Sequence, residues 1–572
     1  MPISKISRDR KFFWLSVSCL LLWLAAAPGV QAGADANLSR ALSNLLSGKQ
    51  PPLLQDMDFP RYQKELGLLY RSNAMQLVWV GPGGSQTNLQ DALQVLQNAE
   101  ADGLNPLNYA AERLQHYFQD LAVQPNTDLQ TLASYDMALS LALLSYLHDV
   151  HQGRVDPRGF NYPETFGVNS LFDAVRVLKT HIDQQTLHRL PDDVAPKTYQ
   201  YQQLKQALAY YRHQAEAEPP ADLQFTKTLH PGEEDEHLPE LRLRLQELGE
   251  LSAAQLADIA ANVSRYDEAT TAAVMRLQQQ QGLHADGVIG RQTQALLNLK
   301  PKQKIALIKL ALERLRWLPK QPDGRLIVVN IPAFQLWAFN SPEDQNALTM
   351  KVIVGKTGDT QTPILWEQMN ALEFMPYWNI PKSIMDKEIL PKLKSDKRYL
   401  AAQDIELVER FAEDDSDLTL DPLDHLQHGL LRARQRPGDK NPLGKVKFIF
   451  PNKADIYMHD TPGRGAFNRD RRDLSHGCVR VAEPAKLAEF VLGNQTGWDK
   501  QTIEQAMSGP KTQRVTLKKT VPVLFFYNTA YAGQDNKLRF YPDIYGYDEQ
   551  LQSAINKSNL AVKIEKSVAS DG

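Results

Sequence analysis

The chain has 572 residues, which is too long for a single hydrophobic core and predicts about three domains. Hydrophobic residues make up 42% of the sequence and charged residues 23%, as is usual for a globular protein. The 64 basic residues are balanced by 67 acidic ones, and the net charge is −3. The chain therefore lacks the excess of basic residues that is typical of proteins that bind nucleic acid.

The first 32 residues have the pattern of an export signal. A basic start precedes an apolar run over residues 12–27, and Ala32 supplies a small residue at the cleavage position. We therefore expect a signal peptide over residues 1–32 and a mature protein in the periplasm or cell envelope. An uncleaved membrane anchor is the alternative, because the apolar run is close to the lower length limit for a membrane span.

Residues 33–232 are predicted to form a helical N-terminal scaffold domain. Apolar residues recur there at helical spacing. One such set is Leu139, Leu143, Tyr146, Leu147 and Val150. Gly103 and Gly153 follow periodic segments and are expected to end helices. A stretch rich in proline and acidic residues, 218–236, reads as a connector.

Residues 233–300 are predicted to form a compact module of three helices. Leu241 and Leu245 begin an apolar stripe on the first helix, Asp267 is a plausible N-cap of the second, and the third contains Thr293. A further helix is expected to connect this module onwards through residues 301–323.

After Gly324 the hydrophobic period changes from that of a helix to that of a strand. A β-rich domain is therefore predicted over residues 324–510, followed by C-terminal strands and a tail over 511–572. The strand pattern lapses between about 382 and 434, where Met385 and Ile389 suggest a helix and residues 413–417 are acidic. We expect a helical cap insertion there, placed as a candidate lid. The fold class is thus α+β with several domains.

Cys478 is one of two cysteines, and the other, Cys19, lies in the expected signal. An exported thiol without a partner is either reactive or deeply buried. The residues next to Cys478 favour a reactive thiol over a small residue of the hydrophobic core. A nearby cation lowers a thiol pKa from about 8.5, and Gly477 lets backbone N–H groups approach an oxyanion.

The block Ser475-His476-Gly477-Cys478, with His459 upstream, resembles the signature of the YkuD-type L,D-transpeptidases of bacterial cell walls. Fifteen residues lie between His459 and Ser475, as the family spacing requires. Arg480 stands where the family often has asparagine, which resembles the large, multidomain branch. Residues 282–293 resemble its small peptidoglycan-binding module, and a module that packs without binding glycan is the alternative there.

The resemblance implies a role for each residue of this site. Cys478 would be the nucleophile and His459 the general acid and base. The backbone N–H groups of His476 and Gly477, with that of Cys478, would stabilise the oxyanion. Asp460 would act through its backbone carbonyl. Contacts to substrate are expected from Arg480, Trp378 and Ser475, although Arg480 could instead form a structural ion pair.

No cofactor and no metal are expected. A zinc site built from His459, His476 and Cys478 is the alternative, but the sequence has neither a Cys-x-x-Cys nor a His-Glu-x-x-His motif.

The implied reaction releases terminal D-Ala from a stem tetrapeptide through a thioester and forms 3→3 cross-links in peptidoglycan. It also implies acylation by carbapenems. An L,D-carboxypeptidase or endopeptidase, or attachment of a protein to the wall, would use the same chemistry, whereas a non-catalytic wall-binding scaffold would not. Expected partners are peptidoglycan stem peptides and glycan, with other cell-wall synthesis enzymes left open. Nucleic acid is not expected, and a membrane is expected only if the signal is an anchor.

Overall fold

The computed structural model describes residues 28–49, 53–81, 84–123, 127–167, 172–258, 264–320, 322–342, 344, 346–396, 398–409, 426, 431–533, 535 and 537–568. The expected signal up to residue 27, including Cys19, and the acidic run at 413–417 lie outside these residues. In the described ranges, none of the helices combines the length and the apolar character needed to cross a lipid bilayer.

The N-terminal region is helical, as predicted. Its α-helices are Pro28–Ser47, Phe59–Ser72, Gln86–Gln97, Ala111–Val123, Leu129–Gln152, Ala174–Gln184, Leu190–Val194 and Tyr199–Gln214. The helix Leu129–Gln152 is central, and the whole of its predicted apolar face is buried. Gly153 ends it with a φ of +84°, and a Cβ there would lie 2.5 Å from Nε1 of Trp317. Only glycine fits this position.

A buried carboxylate, Asp136, ties the central helix to the segment at residues 78–80. It is fully buried and accepts hydrogen bonds from the backbone N–H groups of Val78, Trp79 and Val80 at 2.7–3.2 Å and from the Tyr70 hydroxyl at 2.7 Å. Burial raises the pKa of Asp136 to about 6, although these donors oppose the shift. The backbone N–H groups of residues 78–80 therefore depend on the Asp136 carboxylate as their common acceptor.

The module after residue 233 contains the three predicted helices and one short helix more. Its helices are Leu238–Glu247, Ala253–Asp258, Glu268–Gln280 and Arg291–Leu297. Asp267 caps the third of these, where its side chain accepts from the backbone N–H of Thr270 at 2.8 Å. The unpredicted helix has only six residues, too few to show a clear apolar period.

The connecting helix, Pro301–Arg316, belongs to two hydrophobic cores. Ile308 and Leu312 lie in the core of the N-terminal domain, whereas Leu310 and the adjoining Trp317 lie in the core of the β domain. A single helix therefore forms part of the packing of both domains.

Buried charges on the connecting helix reach neighbouring segments. The carboxylate of Glu313 accepts from the backbone N–H groups of Arg154 at 2.5 Å and Val155 at 3.0 Å. Arg314 forms a buried ion pair with Asp548 of the last helix, Tyr547–Val568. Since Glu313 and Arg314 both have partners, these contacts fix the packing of the connecting helix against residues 154–155 and against the last helix.

The β domain is built on one sheet of nine strands. Its strands, together with those of two smaller sheets, are β1 Leu326–Asn330, β2 Gln335–Phe339, β3 Leu348–Gly355, β4 Leu365–Phe374, β5 Trp378–Asn379, β6 Ile405–Glu409, β7 Leu431–Gln435, β8 Val446–Ile449, β9 Met458–His459, β10 Asp473–Ser475, β11 Val479–Val481, β12 Gln513–Phe526, β13 Ala530–Ala532 and β14 Leu538–Phe540. The order in the large sheet is β10-β3-β11-β9-β8-β4-β12-β1-β2. Because β3 also pairs with β2, the sheet closes on itself.

Two of these strands correct the prediction. β4 was not predicted, and β12 lies between β4 and β1 in the middle of the large sheet. The predicted boundary at residue 510 is therefore wrong, because it would remove a central strand. Helices Pro484–Leu492 and Lys500–Ala506 precede β12.

The segment after β12 joins the β domain to the two regions that precede it. Gln200 exchanges two hydrogen bonds with the backbone of Ala532, at 2.5 and 3.0 Å. Gln281 of the module accepts from the backbone N–H of Phe540 at 2.8 Å. The β13–β14 hairpin thus contacts both the N-terminal domain and the module.

The insertion is only partly helical. Its short helices are Lys382–Ile384, the π-helical turn Met385–Ile389, Leu390–Ser395 and Tyr399–Ala402. β6 and β7 pair with each other, and β7 pairs with β5, in a three-stranded sheet. Helices and strands share a small apolar core that includes Met385, Ile389 and Ala433. The prediction of a helical cap is therefore incomplete.

We expect the substitution Asp136→Ala to destabilise the folded chain by at least about 3 kcal/mol, because several buried N–H groups would lose their acceptor. Urea unfolding followed by the helical circular dichroism signal measures this change. Asp128, which caps the same helix at an exposed end, is the matched control. Asp128→Ala should cost only about 1 kcal/mol, and equal losses for the two variants would contradict the assignment.

Candidate active site

A cavity of about 1000 Å³ lies between the insertion and the large sheet. Trp378 and Met385 line it from the insertion, and Lys447, Tyr457 and Cys478 line it from the sheet. The insertion forms one wall of the space that contains the candidate nucleophile. Its position agrees with the expectation of a cap beside the catalytic strands.

Strand register places the candidate residues on one face of the sheet. In β8 and β9, Lys447 is opposite His459, and in β9 and β11, His459 is opposite Arg480. Residues paired across a ladder point to the same face, as do residues two apart along a strand. Lys447, Tyr457, His459, Cys478 and Arg480 therefore share a face, while the residues between them point into the hydrophobic core.

His459 is buried, with only 4% of its surface exposed, and its Nδ1 lies 2.5 Å from the backbone carbonyl oxygen of Asp460. A carbonyl oxygen can only accept, so Nδ1 carries the hydrogen and Nε2 is free of one. The expected backbone contact is thus present. The carboxylate of Asp460 is used elsewhere, where it accepts from the backbone N–H groups of Lys445 at 2.9 Å and Thr461 at 2.6 Å.

Burial lowers the pKa of His459 to about 3, and the positive charges of Arg480 and Lys447 lower it further. The imidazole is therefore neutral throughout the physiological pH range. A neutral imidazole with a free Nε2 can accept a proton, which is the state that a general base requires.

Cys478 is a free thiol, partly buried, with its Sγ 3.9 Å from the carbonyl oxygen of Asp455. Burial raises its pKa, and interactions with Tyr457, Lys447 and Arg480 oppose that rise. The expectation that a neighbouring cation makes the thiol acidic is therefore wrong for this structure, because desolvation outweighs the charges. The resting pair is a thiol and a neutral imidazole.

The turn before Cys478 is held by its own hydrogen bonds. Ser475 is 2% exposed, and its hydroxyl donates to the carbonyl oxygen of Cys478 at 2.6 Å and accepts from the N–H of Gly477 at 3.2 Å. Gly477 has a φ of +111°, and its carbonyl oxygen accepts from the Thr362 hydroxyl at 2.7 Å. Two predictions therefore do not fit this conformation, the substrate contact of Ser475 and the oxyanion role of the Gly477 N–H. Ser475 instead shapes the turn.

His476 contacts the insertion. Its Nε2 lies 2.8 Å from a carboxylate oxygen of Glu388, which belongs to the π-helical turn. No local signal in the sequence could predict this contact, since the two residues are far apart in the chain. Both side chains are about 40% exposed, and His476 lines the cavity.

Arg480 has a buried Nε without a hydrogen-bond partner, and no ion pair to it occurs among the described residues. The alternative of a structural ion pair therefore finds no support in this part of the chain. The described ranges also contain no group of three His, Cys, Asp or Glu side chains arranged to hold a metal ion.

Neither Lys447 nor Tyr457 is predicted from the sequence as a functional residue. The Lys447 Nζ lies 3.8 Å from the centre of the Tyr457 ring, and both side chains line the cavity with Cys478. The only sequence signal for either residue is its position. Lys447 lies in β8, the strand before the one that contains His459, and Tyr457 directly precedes β9.

Three family models match the chain. Residues 324–522 match the YkuD "L,D-transpeptidase catalytic domain", residues 235–297 a "Putative peptidoglycan binding domain" and residues 64–208 a "Scaffold domain". A Haemophilus influenzae protein named "Putative L,D-transpeptidase" is 34% identical over 281 residues. That match covers 48% of this chain and 55% of the relative, so the chain spans about half the length of the curated relative it matches.

The solved structures that match include the L,D-transpeptidase (residues 123–326) from Xylanimonas cellulosilytica. The identity is 16% and the TM-score 0.16, over 54% of this chain and all of that one. At that TM-score no structural argument follows from it.

We expect the rate of Cys478 alkylation by iodoacetamide to rise with pH up to and beyond about 8.5, the pKa of an ordinary thiol. The reason is that burial raises the thiol pKa, and the neutral His459 does not hold a thiolate in place. Peptide mass spectrometry of samples quenched at several pH values measures the rate at this residue alone. A plateau already reached below about pH 6 would instead indicate a resting thiolate–imidazolium pair.

Proposed function

From the L,D-transpeptidase catalytic domain at residues 324–522, we propose that this chain is a peptidoglycan L,D-transpeptidase with Cys478 as its nucleophile. One observation carries the proposal. Cys478 opens into a cavity of about 1000 Å³ and shares a sheet face with a neutral, oriented His459. Nucleophile, base and space for a peptide thus occur together.

In the first half of the reaction, the Cys478 sulfur attacks the carbonyl carbon before the terminal D-Ala of a stem tetrapeptide. Nε2 of His459 takes the thiol proton as the S–C bond forms. The same proton passes to the departing amine, the C–N bond breaks, and D-Ala leaves a thioester behind. Retaining the proton on one imidazole between the two events is consistent with its fixed Nδ1 contact to Asp460.

In the second half, the side-chain amine of the third residue on another stem attacks the thioester. His459 accepts a proton from this amine, the C–S bond breaks, and the proton passes from His459 to the departing sulfur, which restores the thiol. The product is a 3→3 cross-link. The same cysteine would be acylated by carbapenems, since their strained amide carbonyl offers the same electrophile.

For the oxyanion we assign the backbone N–H groups of His476 and Cys478. The N–H of Gly477 is engaged by the Ser475 hydroxyl, which supports its exclusion from this role. The positive φ of Gly477 turns the chain sharply between the two assigned residues.

The decisive experiment incubates the full chain with tetrapeptide-bearing wall fragments and separates the muropeptides by liquid chromatography and mass spectrometry. Cross-linked dimers with release of D-Ala are expected for the wild type, and neither product for Cys478→Ala. Tripeptides without dimers would mean hydrolysis, as by an L,D-carboxypeptidase or endopeptidase. No Cys478-dependent product at all would favour a wall-binding scaffold.

We assign Arg480 to a carboxylate of the donor peptide, supported by its buried and unpaired Nε on the sheet face that carries Cys478. Trp378 lines the opposite wall and is assigned to packing against the same peptide. The substrates are therefore stem peptides, with glycan bound by the module at residues 235–297. We place the enzyme in the periplasm or cell envelope on the basis of the signal at residues 1–32.

We expect Arg480→Gln to raise KM for the tetrapeptide donor about 10- to 100-fold with a smaller effect on kcat, because a charged hydrogen bond contributes about 1.5–3 kcal/mol. Steady-state release of D-Ala measures both constants. Arg480→Lys keeps the charge but loses the planar fork, so its KM should lie between the two. A lower melting temperature with an unchanged KM would show that Arg480 is structural.

A further inference from the structure

Lys447 is the one lysine among the described residues that both faces His459 across a strand pair and lines the cavity with Cys478. Its other neighbour across the sheet, Glu373 in β4, is within 3.9 Å of Arg514. No ion pair to Lys447 occurs in the described ranges. Its charge is therefore not neutralised by a direct carboxylate contact.

The main contact of the Lys447 ammonium is aromatic. Nζ lies 3.8 Å from the centre of the Tyr457 ring, well inside the distance of about 6 Å for a cation–π interaction. Tyr457 in turn interacts with Cys478 through its side chain and its backbone, and its carbonyl oxygen accepts from the N–H of Val479 at 3.1 Å. Lys447, Tyr457 and Cys478 thus form a contiguous set along one wall of the cavity.

This set matters because the thiol is difficult to ionise where it lies. Burial disfavours the thiolate, and His459 is neutral at rest. The groups that oppose this effect of burial on Cys478 are Tyr457, Lys447 and Arg480, and of these only Lys447 and Arg480 are cationic. Other charged or titratable residues that line the same cavity are Lys382, Arg432, Asp455 and His476. A negative sulfur formed during attack therefore depends on Lys447 and Arg480.

We propose that Lys447 is a positioning residue, which stabilises the Cys478 thiolate by its charge and holds the Tyr457 ring against the sulfur. This role rests on Cys478 being the nucleophile of the proposed function. Lys447 forms no bond and transfers no proton in the reaction. It differs from Arg480 because it also orients an aromatic neighbour of the thiol.

The test compares full-length wild type, Lys447→Met and Lys447→Arg by the pH dependence of iodoacetamide alkylation at Cys478. In Lys447→Met the midpoint of the profile should move up by about one pH unit, which lowers the reactive fraction roughly tenfold at a fixed pH. Lys447→Arg keeps the charge and should stay within a few tenths of a unit of the wild type. Lys453→Met removes an exposed charge nearby and is the matched control, with no expected shift.

An alkylation profile of Lys447→Met that coincides with that of the wild type would overturn the proposal. Circular dichroism and melting temperature establish whether Lys447→Met folds, and Lys447→Gln provides a second neutral variant if it does not. The two hypotheses fail separately. A shifted profile without D-Ala release by the wild type contradicts the proposed function alone, whereas D-Ala release with an unshifted profile contradicts only the role of Lys447.

Discussion

The chemistry of this protein depends on the register of three neighbouring strands. β8, β9 and β11 place Lys447, His459 and Arg480 in one row, with Cys478 beside the end of that row. A slip of one residue in β9 would turn His459 into the hydrophobic core and bring Met458 to the face that carries Lys447 and Arg480. β9 has only two residues, so its register is maintained by its neighbours on both sides rather than by its own length.

Burial and charge act together on Cys478 and His459, the two groups that exchange a proton in the proposed reaction. Desolvation disfavours the charged form of each, so the pair rests as thiol and imidazole, and the nearby cations make the imidazole still harder to protonate. The same cations favour a negative sulfur. At rest both groups are neutral, and during attack the cations stabilise the negative charge that develops on the sulfur while they disfavour a positive charge on His459.

Local sequence is sufficient for the features that a few adjacent residues determine. The block around Cys478, the upstream His459, the capping Asp267 and the helix ending at Gly153 follow from such patterns. The features that the sequence did not predict depend on pairing between strands that are distant in the chain. The residues of β4 are mixed in polarity because its two faces have different surroundings, and the central place of β12 is set by partners more than 100 residues earlier. Lys447 and Glu388 acquire a relation to Cys478 only through folding.

The central place of β12 also sets an order of assembly. This strand follows Cys478 in the chain by more than 30 residues, yet β1 and β4 both pair with it. While the chain is being made, the candidate nucleophile Cys478 and the candidate base His459 emerge before the strand that completes their sheet. A chain interrupted near residue 510 would contain every candidate active-site residue and still lack the framework that aligns them. The sheet that aligns Cys478 with His459 is therefore completed only after β12 has been made.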